Sequence, residues 1–158
     1  MSELSHVGES GDARMVDVSA KPVSDRSARA TGAIVMQRAT LDAIRGNALA
    51  KGDVLTVAKV AGVMAAKRTA ELIPLCHPIA LTDVQLRLTM DDALPGVRAE
   101  ASVRTTAQTG VEMEAIVAVT VSLVTVYDMA KAVDRGMVIG EVKLVEKAGG
   151  RSGHWLRP

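Results

Sequence analysis

The chain has 158 residues, 48% of them apolar, with a formal net charge of +1, no Phe and a single Cys. That length favours one domain with a real core, and the balanced charge excludes a global field that would draw it to nucleic acid or membrane. One Cys excludes an internal disulfide and fits a reducing cytosol, so a cytoplasmic protein with a core of Val, Ala, Leu, Ile and Met is expected.

Residues 1–14 are Ser, Gly and charge without an apolar h-region, and read as a disordered tail rather than a signal peptide. Residues 17–29, DVSAKPVSDRSAR, read as a loop or an arm that orders on binding. A short, weak strand over 29–36 follows, then a short helix over 38–46 ended by Gly46-Asn47. Asp53 is an N-cap for a longer helix reaching about Leu72, and Pro74 stops it. Val84, Leu86, Leu88 and Met90 alternate with polar residues, and Val97, Ala99, Ala101 and Val103 repeat the pattern beyond the turn DDALPG, which predicts a hairpin. The run VEMEAIVAVTVSLVTVYDMAKAVDR is rich in β-branched residues, yet strands seldom exceed about 10 residues. Glutamates at its start and Lys131 and Arg135 at its end suit a helix dipole, so it predicts a buried helix. Residues 138–147 predict a last strand, and KAGGRSGHWLRP a mobile basic tail. No apolar run reaches the roughly 18 residues a membrane helix needs.

The order β-α-α-β-β-α-β is that of a ferredoxin-like α+β sandwich, βαββαβ with an extra short helix and an antiparallel sheet. Single-stranded RNA readers share this order but need aromatics on the sheet. The central strands here carry none.

The one Cys, Cys76, stands beside His77 in ELIPLCHPI. No second Cys exists and the other histidines lie near the termini, so no zinc site is expected. Adjacent side chains in an extended loop turn poorly toward each other, which disfavours a catalytic thiol–imidazole pair. Pro74 and Pro78 restrict the loop. It is then either a stiff element aiming one imidazole at a ligand or a turn with a surface histidine and a buried thiol. Glu112 and Glu114 open the long helix, either as dipole-complementing charges or as site carboxylates. Asp128 and Lys131 are three residues apart on one helical face, a surface ion pair or a proton-exchanging pair. Glu114 and Asp128 are fourteen residues apart, about 21 Å along a helix. Both cannot reach one small substrate unless a neighbouring chain completes the pocket. KAGGRSG has the composition of a phosphate-binding lid but is not a Walker A sequence, and by composition a solvated tail accounts for it better.

KGDVLTVAKVAGVMAAKRTAELIPLCHPIALT, TGVEMEA, YDMAKAVD and GMVIGEVKLVEKAGGRSG, in this order, resemble the molybdenum cofactor biosynthesis protein C family, the cyclic pyranopterin monophosphate synthases. The likeness runs from about Met15 to Gly153, which sets a synthase domain at 15–153 between the tails 1–14 and 154–158. The resemblance implies a ferredoxin-like homohexamer, a trimer of dimers with the pocket at the dimer interface. It implies a lyase that follows a radical SAM GTP cyclase and rearranges 3′,8-cyclo-7,8-dihydroguanosine 5′-triphosphate into cyclic pyranopterin monophosphate with loss of diphosphate. It implies no required cofactor and no resident metal, with Mg²⁺ accompanying the triphosphate as an option.

Residue by residue, the family's reacting groups fall on Lys51, Asp128 and Lys131. Asp128 would act as acid/base group, and the lysines as proton donors or acceptors with pKa values lowered by mutual charge. Substrate-contact stretches match Leu75, Cys76, His77, Met113 and Glu114, with Glu112 adjacent. Lys67, Arg26, Lys21 and Lys147 would hold the triphosphate, and Asp17 would order the N-terminal arm. Ala70 departs from members that carry Trp there. The alternative reading is a ferredoxin-like module that binds a nucleotide without turnover.

Overall fold

A computed structural model describes residues 12–151 and 153–158. The elements are β1 (Ser24–Val35), α1 (Arg38–Arg45), α2 (Val54–Ala66), α3 (Thr69–Leu72), β2 (Asp83–Asp91), β3 (Gly96–Ala107), α4 (Glu112–Ala130), β4 (Val138–Ala148) and β5 (Trp155–Leu156). The sheet runs β2-β3-β1-β4-β5 with every pairing antiparallel. Helices α2 and α4 pack on it, so the chain has the expected ferredoxin-like α+β architecture. The tail expected over 1–14 lies largely outside the described residues.

β1 is the central strand and is longer than the sequence suggests. Its inward residues are Ala28, Ala30, Gly32 and Ile34, three of them too small to register as apolar periodicity. Their smallness is what α4 requires. A Cβ on Gly32 would lie 2.7 Å from Val119 Cγ1, so the helix rests almost on the strand backbone. The same logic joins the helices, since a Cβ on Gly62 of α2 would strike Leu86 and the Ala118 carbonyl of α4.

α4 is helical despite its β-branched content, because packing overrides local preference. Ala115, Ala118, Val119, Ser122, Leu123 and Val126 are buried, and the hydroxyls of Thr120, Ser122 and Thr125 donate to backbone carbonyls three or four residues back. By length and composition α4 is long and apolar enough to cross a membrane, contrary to the expectation from the sequence. Here it is the core helix of the sandwich.

The Asp53 side chain accepts from Thr56 N at 3.0 Å and caps α2 as expected. The helix does not reach Leu72, however. The Thr69 hydroxyl donates to the Ala66 carbonyl at 3.0 Å, the chain turns at Lys67-Arg68, and α3 restarts as a single turn. The C-terminus also differs from a mobile tail. Trp155 and Leu156 pair with Lys147 and Glu146, Arg157 N donates to Val145 O at 2.9 Å, and Gly149 and Gly150 take positive φ to turn the chain back.

Candidate active site

Two groups of polar residues form at opposite ends of α4. At its C-terminal end, Lys51 arrives on the loop after α1. Its Nζ lies 2.6 Å from Asp128 Oδ2 and donates to the Asp128 carbonyl at 3.0 Å. Lys131 Nζ lies 2.7 Å from Asp128 Oδ1. One carboxylate is thus held between two ammonium groups, and all three side chains are about half exposed. Hydrogen bonds from Lys131 and Lys51 pull the Asp128 pKa down to about 2, and the bond to Asp128 raises that of Lys131. The expected lowering of the lysines by mutual charge is not found for Lys131, because the hydrogen bond to Asp128 and the charge of its carboxylate raise it.

Three residues beyond Lys131, Asp134 is buried. Its carboxylate accepts from Gln37 N at 2.9 Å, Thr40 Oγ1 at 3.2 Å and Gly136 N at 3.0 Å. Asp134 therefore caps α1 from a distance, where Gln37 offers no side-chain cap. These bonds, that from Gln37 first, hold its pKa below the ordinary value. Sequence reading missed Asp134, since a cap 97 residues away leaves no local pattern.

At the N-terminal end a cavity of about 640 Å³ opens among Val16, Val18, Lys21, Leu75, Cys76, His77, Glu112, Met113 and Lys147. A smaller one of about 170 Å³ adjoins it, with Lys21, Arg26, Gln108, Glu112 and Lys147 in its wall. Lys147 Nζ donates to Glu112 Oε1 at 3.0 Å. His77 Nε2 lies 2.8 Å from the Val16 carbonyl, which can only accept, so Nε2 carries hydrogen and Nδ1 is the remaining ring nitrogen. Glu114 is 3% exposed and its Oε2 has no hydrogen-bond partner among the described residues. Burial, then the charge of Glu112, pushes its pKa up. Burial and the Glu114 charge likewise raise the Cys76 thiol, the reverse of what an activated nucleophile needs.

With both ends in view, comparison with known proteins is decisive. The MoaC family profile matches residues 15–150. The chain is 58% identical over 153 residues to a cyclic pyranopterin monophosphate synthase of Parvibaculum lavamentivorans, covering 97% of this chain and 96% of that protein. It is 54% identical to the synthase of Heliobacterium modesticaldum and 56% identical to that of Thermomicrobium roseum, each over 99% of this chain and, respectively, 99% and 95% of the relative. This chain belongs to the MoaC family.

Within that MoaC fold, most of the residues singled out from the sequence fall into one of these two groups. Lys51, Asp128 and Lys131 meet. Lys21, Leu75, Cys76, His77, Glu112, Met113 and Lys147 share the large cavity, and Arg26 lines the smaller one while donating to the Ala107 carbonyl at 3.0 Å. Asp17 holds a turn of the N-terminal arm through Ser19 N and Oγ at 2.9 and 2.5 Å. Lys67 stands exposed at the end of α2 and lines neither of these cavities, and neither does the buried Glu114, which follows the cavity residue Met113.

Proposed function

We propose that this protein is a cyclic pyranopterin monophosphate synthase of molybdenum cofactor biosynthesis. It would convert 3′,8-cyclo-7,8-dihydroguanosine 5′-triphosphate, supplied by a radical SAM GTP cyclase, into the cyclic pyranopterin monophosphate with release of diphosphate. Relatives of that name at more than half identity support the reading, and the Lys51–Asp128–Lys131 triad carries it. The rearrangement is redox-neutral and asks for proton transfers, a ring opening and closure, and an intramolecular attack on phosphate. It needs no resident cofactor, and any Mg²⁺ would arrive on the triphosphate.

Asp128 stays a carboxylate at neutral pH and serves to hold and orient the two ammonium groups. Lys131, protonated in this setting, donates a proton. To accept one it must first leave Asp128. At the other end, Lys21, Arg26 and Lys147 neutralise the triphosphate. His77 can donate to a phosphate through Nδ1 only as the imidazolium. Glu114 Oε2 is an unpaired acceptor suited to an N–H of the guanine-derived ring.

The ends of α4 lie about 21 Å apart between Glu114 and Asp128, at 1.5 Å per residue. One small substrate therefore needs the triad of one chain and the cavity of another, as in a homohexamer built as a trimer of dimers. The test is mixing. Lys51→Ala and His77→Ala chains, each inactive alone, should recover about a quarter of wild-type diphosphate release after dissociation and reassembly, because half of randomly formed dimers are mixed and each carries one intact pocket of two. No recovery from reassembled oligomers would refute the shared pocket. No diphosphate release by the intact wild-type protein would refute the synthase and favour a binding module without turnover. Compartment follows from the proposal: a GTP-derived substrate places the reaction in the cytoplasm.

A further inference from the structure

Residues 14–23 form neither helix nor strand, yet they wall the cavity that receives the substrate. Three contacts hold this arm. The Val16 carbonyl takes the His77 Nε2–H at 2.8 Å. The other two come from one side chain, since Gln108 Nε2 donates to the Ser19 carbonyl at 3.1 Å and to the Lys21 carbonyl at 3.0 Å. Two carbonyls can be satisfied only by the amide nitrogen, so the chemistry fixes the orientation of the group. Between those carbonyls the arm makes a tight turn, closed by Lys21 N to Val18 O at 2.9 Å. Among the described residues, Lys21 is the one that lines the large cavity, the small cavity and the neighbouring pocket around Arg151. Where its ammonium stands depends on where this turn is held.

We propose that Gln108 is a positioning residue. Its amide latches the N-terminal arm across the mouth of the cleft, so that Lys21 faces the polyphosphate of the substrate and Val16 holds His77. Gln108 directly follows β3 and immediately precedes Thr109-Gly110, which line the same cavity. The latch is therefore anchored to the sheet, while the arm it holds has no regular structure of its own. The assignment of a substrate polyphosphate rests on the proposed function. The latch itself rests only on the geometry of the arm.

The experiment separates the two. Gln108→Ala removes the amide, and Gln108→Met keeps its length and packing but has no donor. Hydrogen exchange of residues 16–21 in the full chain, without ligand, should accelerate about tenfold in both variants, as for a segment that loses its local restraint. The melting temperature should stay unchanged. In the diphosphate-release assay KM should rise about tenfold, the loss expected when binding energy is spent on ordering the arm, with kcat within about twofold of wild type. Wild-type exchange in both variants, or wild-type exchange in Gln108→Met alone, would overturn the latch. So would a fall in kcat with KM unchanged. If the wild-type protein releases no diphosphate, the synthase reading falls and the exchange comparison still decides the latch.

Discussion

The two ends of α4 use charge in opposite ways. At the C-terminal end every ionic group of the triad is paired and half in water, with Asp128 between Lys51 and Lys131. At the N-terminal end Glu114 is buried, with one oxygen unpaired among the described residues, and follows Met113, which lines a cavity rimmed by cations. An exposed, satisfied cluster costs the fold little to keep. A buried carboxylate without a partner costs stability unless a ligand supplies one. Under the proposed function, the first end would move protons and the second would hold the substrate.

The comparison can be broken most forcefully at the triad. Lys131→Ala should lower turnover by at least about 10³-fold, within the range of a positioned acid–base group, while far-ultraviolet circular dichroism and oligomer size stay as in wild type. Full turnover would remove Lys131 from the chemistry. Asp134 sharpens the picture of the same end, because there the charge is structural. Asp134→Ala strands the Gln37 amide and should cost about 2 kcal/mol in denaturant unfolding. Asp134 has a lowered pKa, so its stabilisation is full above the ordinary carboxylate range and is lost as pH falls through its folded value. The deficit of the variant should therefore shrink below about pH 4.

At the binding end the sign reverses. Burial raises the pKa of Glu114, so the cost of its charge appears as pH rises past its ordinary value and is complete above its folded value. Glu114→Gln should thus stabilise the protein by about 1 kcal/mol at pH 8 and by nothing measurable at pH 4, while weakening substrate binding. Thermal melts at the two pH values decide it. A destabilised variant at pH 8 would show that the carboxylate has a structural partner. The smallest effect belongs to Cys76. Its thiol is pushed up by burial, so Cys76→Ser should change kcat/KM by less than about threefold, and a folded but inactive variant would restore the thiol to the chemistry.

The hairpin β2–β3, the Asp53 cap and the long α4 were legible because alternation, capping chemistry and length are local signals. The first part of β1 was not, since Ser24–Ala28 is polar or small and becomes a strand by pairing with β3 along its length and with β4 from Ser27 on. Neither was the break in the second helix, which depends on one hydroxyl, that of Thr69, competing for a carbonyl. Among site residues, the motif stretches carried Lys51, Asp128, Lys131 and His77. Motifs do not show protonation. That Asp128 sits between two lysines, and that Lys131 is thereby raised, needed the fold to bring residues 51 and 128 together. Gln108 and Asp134 escaped notice for a related reason: each acts on a backbone group 87 to 97 residues away.

The C-terminal hairpin has one further consequence. Trp155 is the sole indole of the chain, and it lies against Lys147 of β4 with the Arg157 guanidinium 5.7 Å from its ring centroid. The polypeptide therefore carries its own fluorophore at the strand that also presents a cleft lysine. Emission excited at the red edge of tryptophan absorption reads out this corner alone, without label or background from the rest of the molecule.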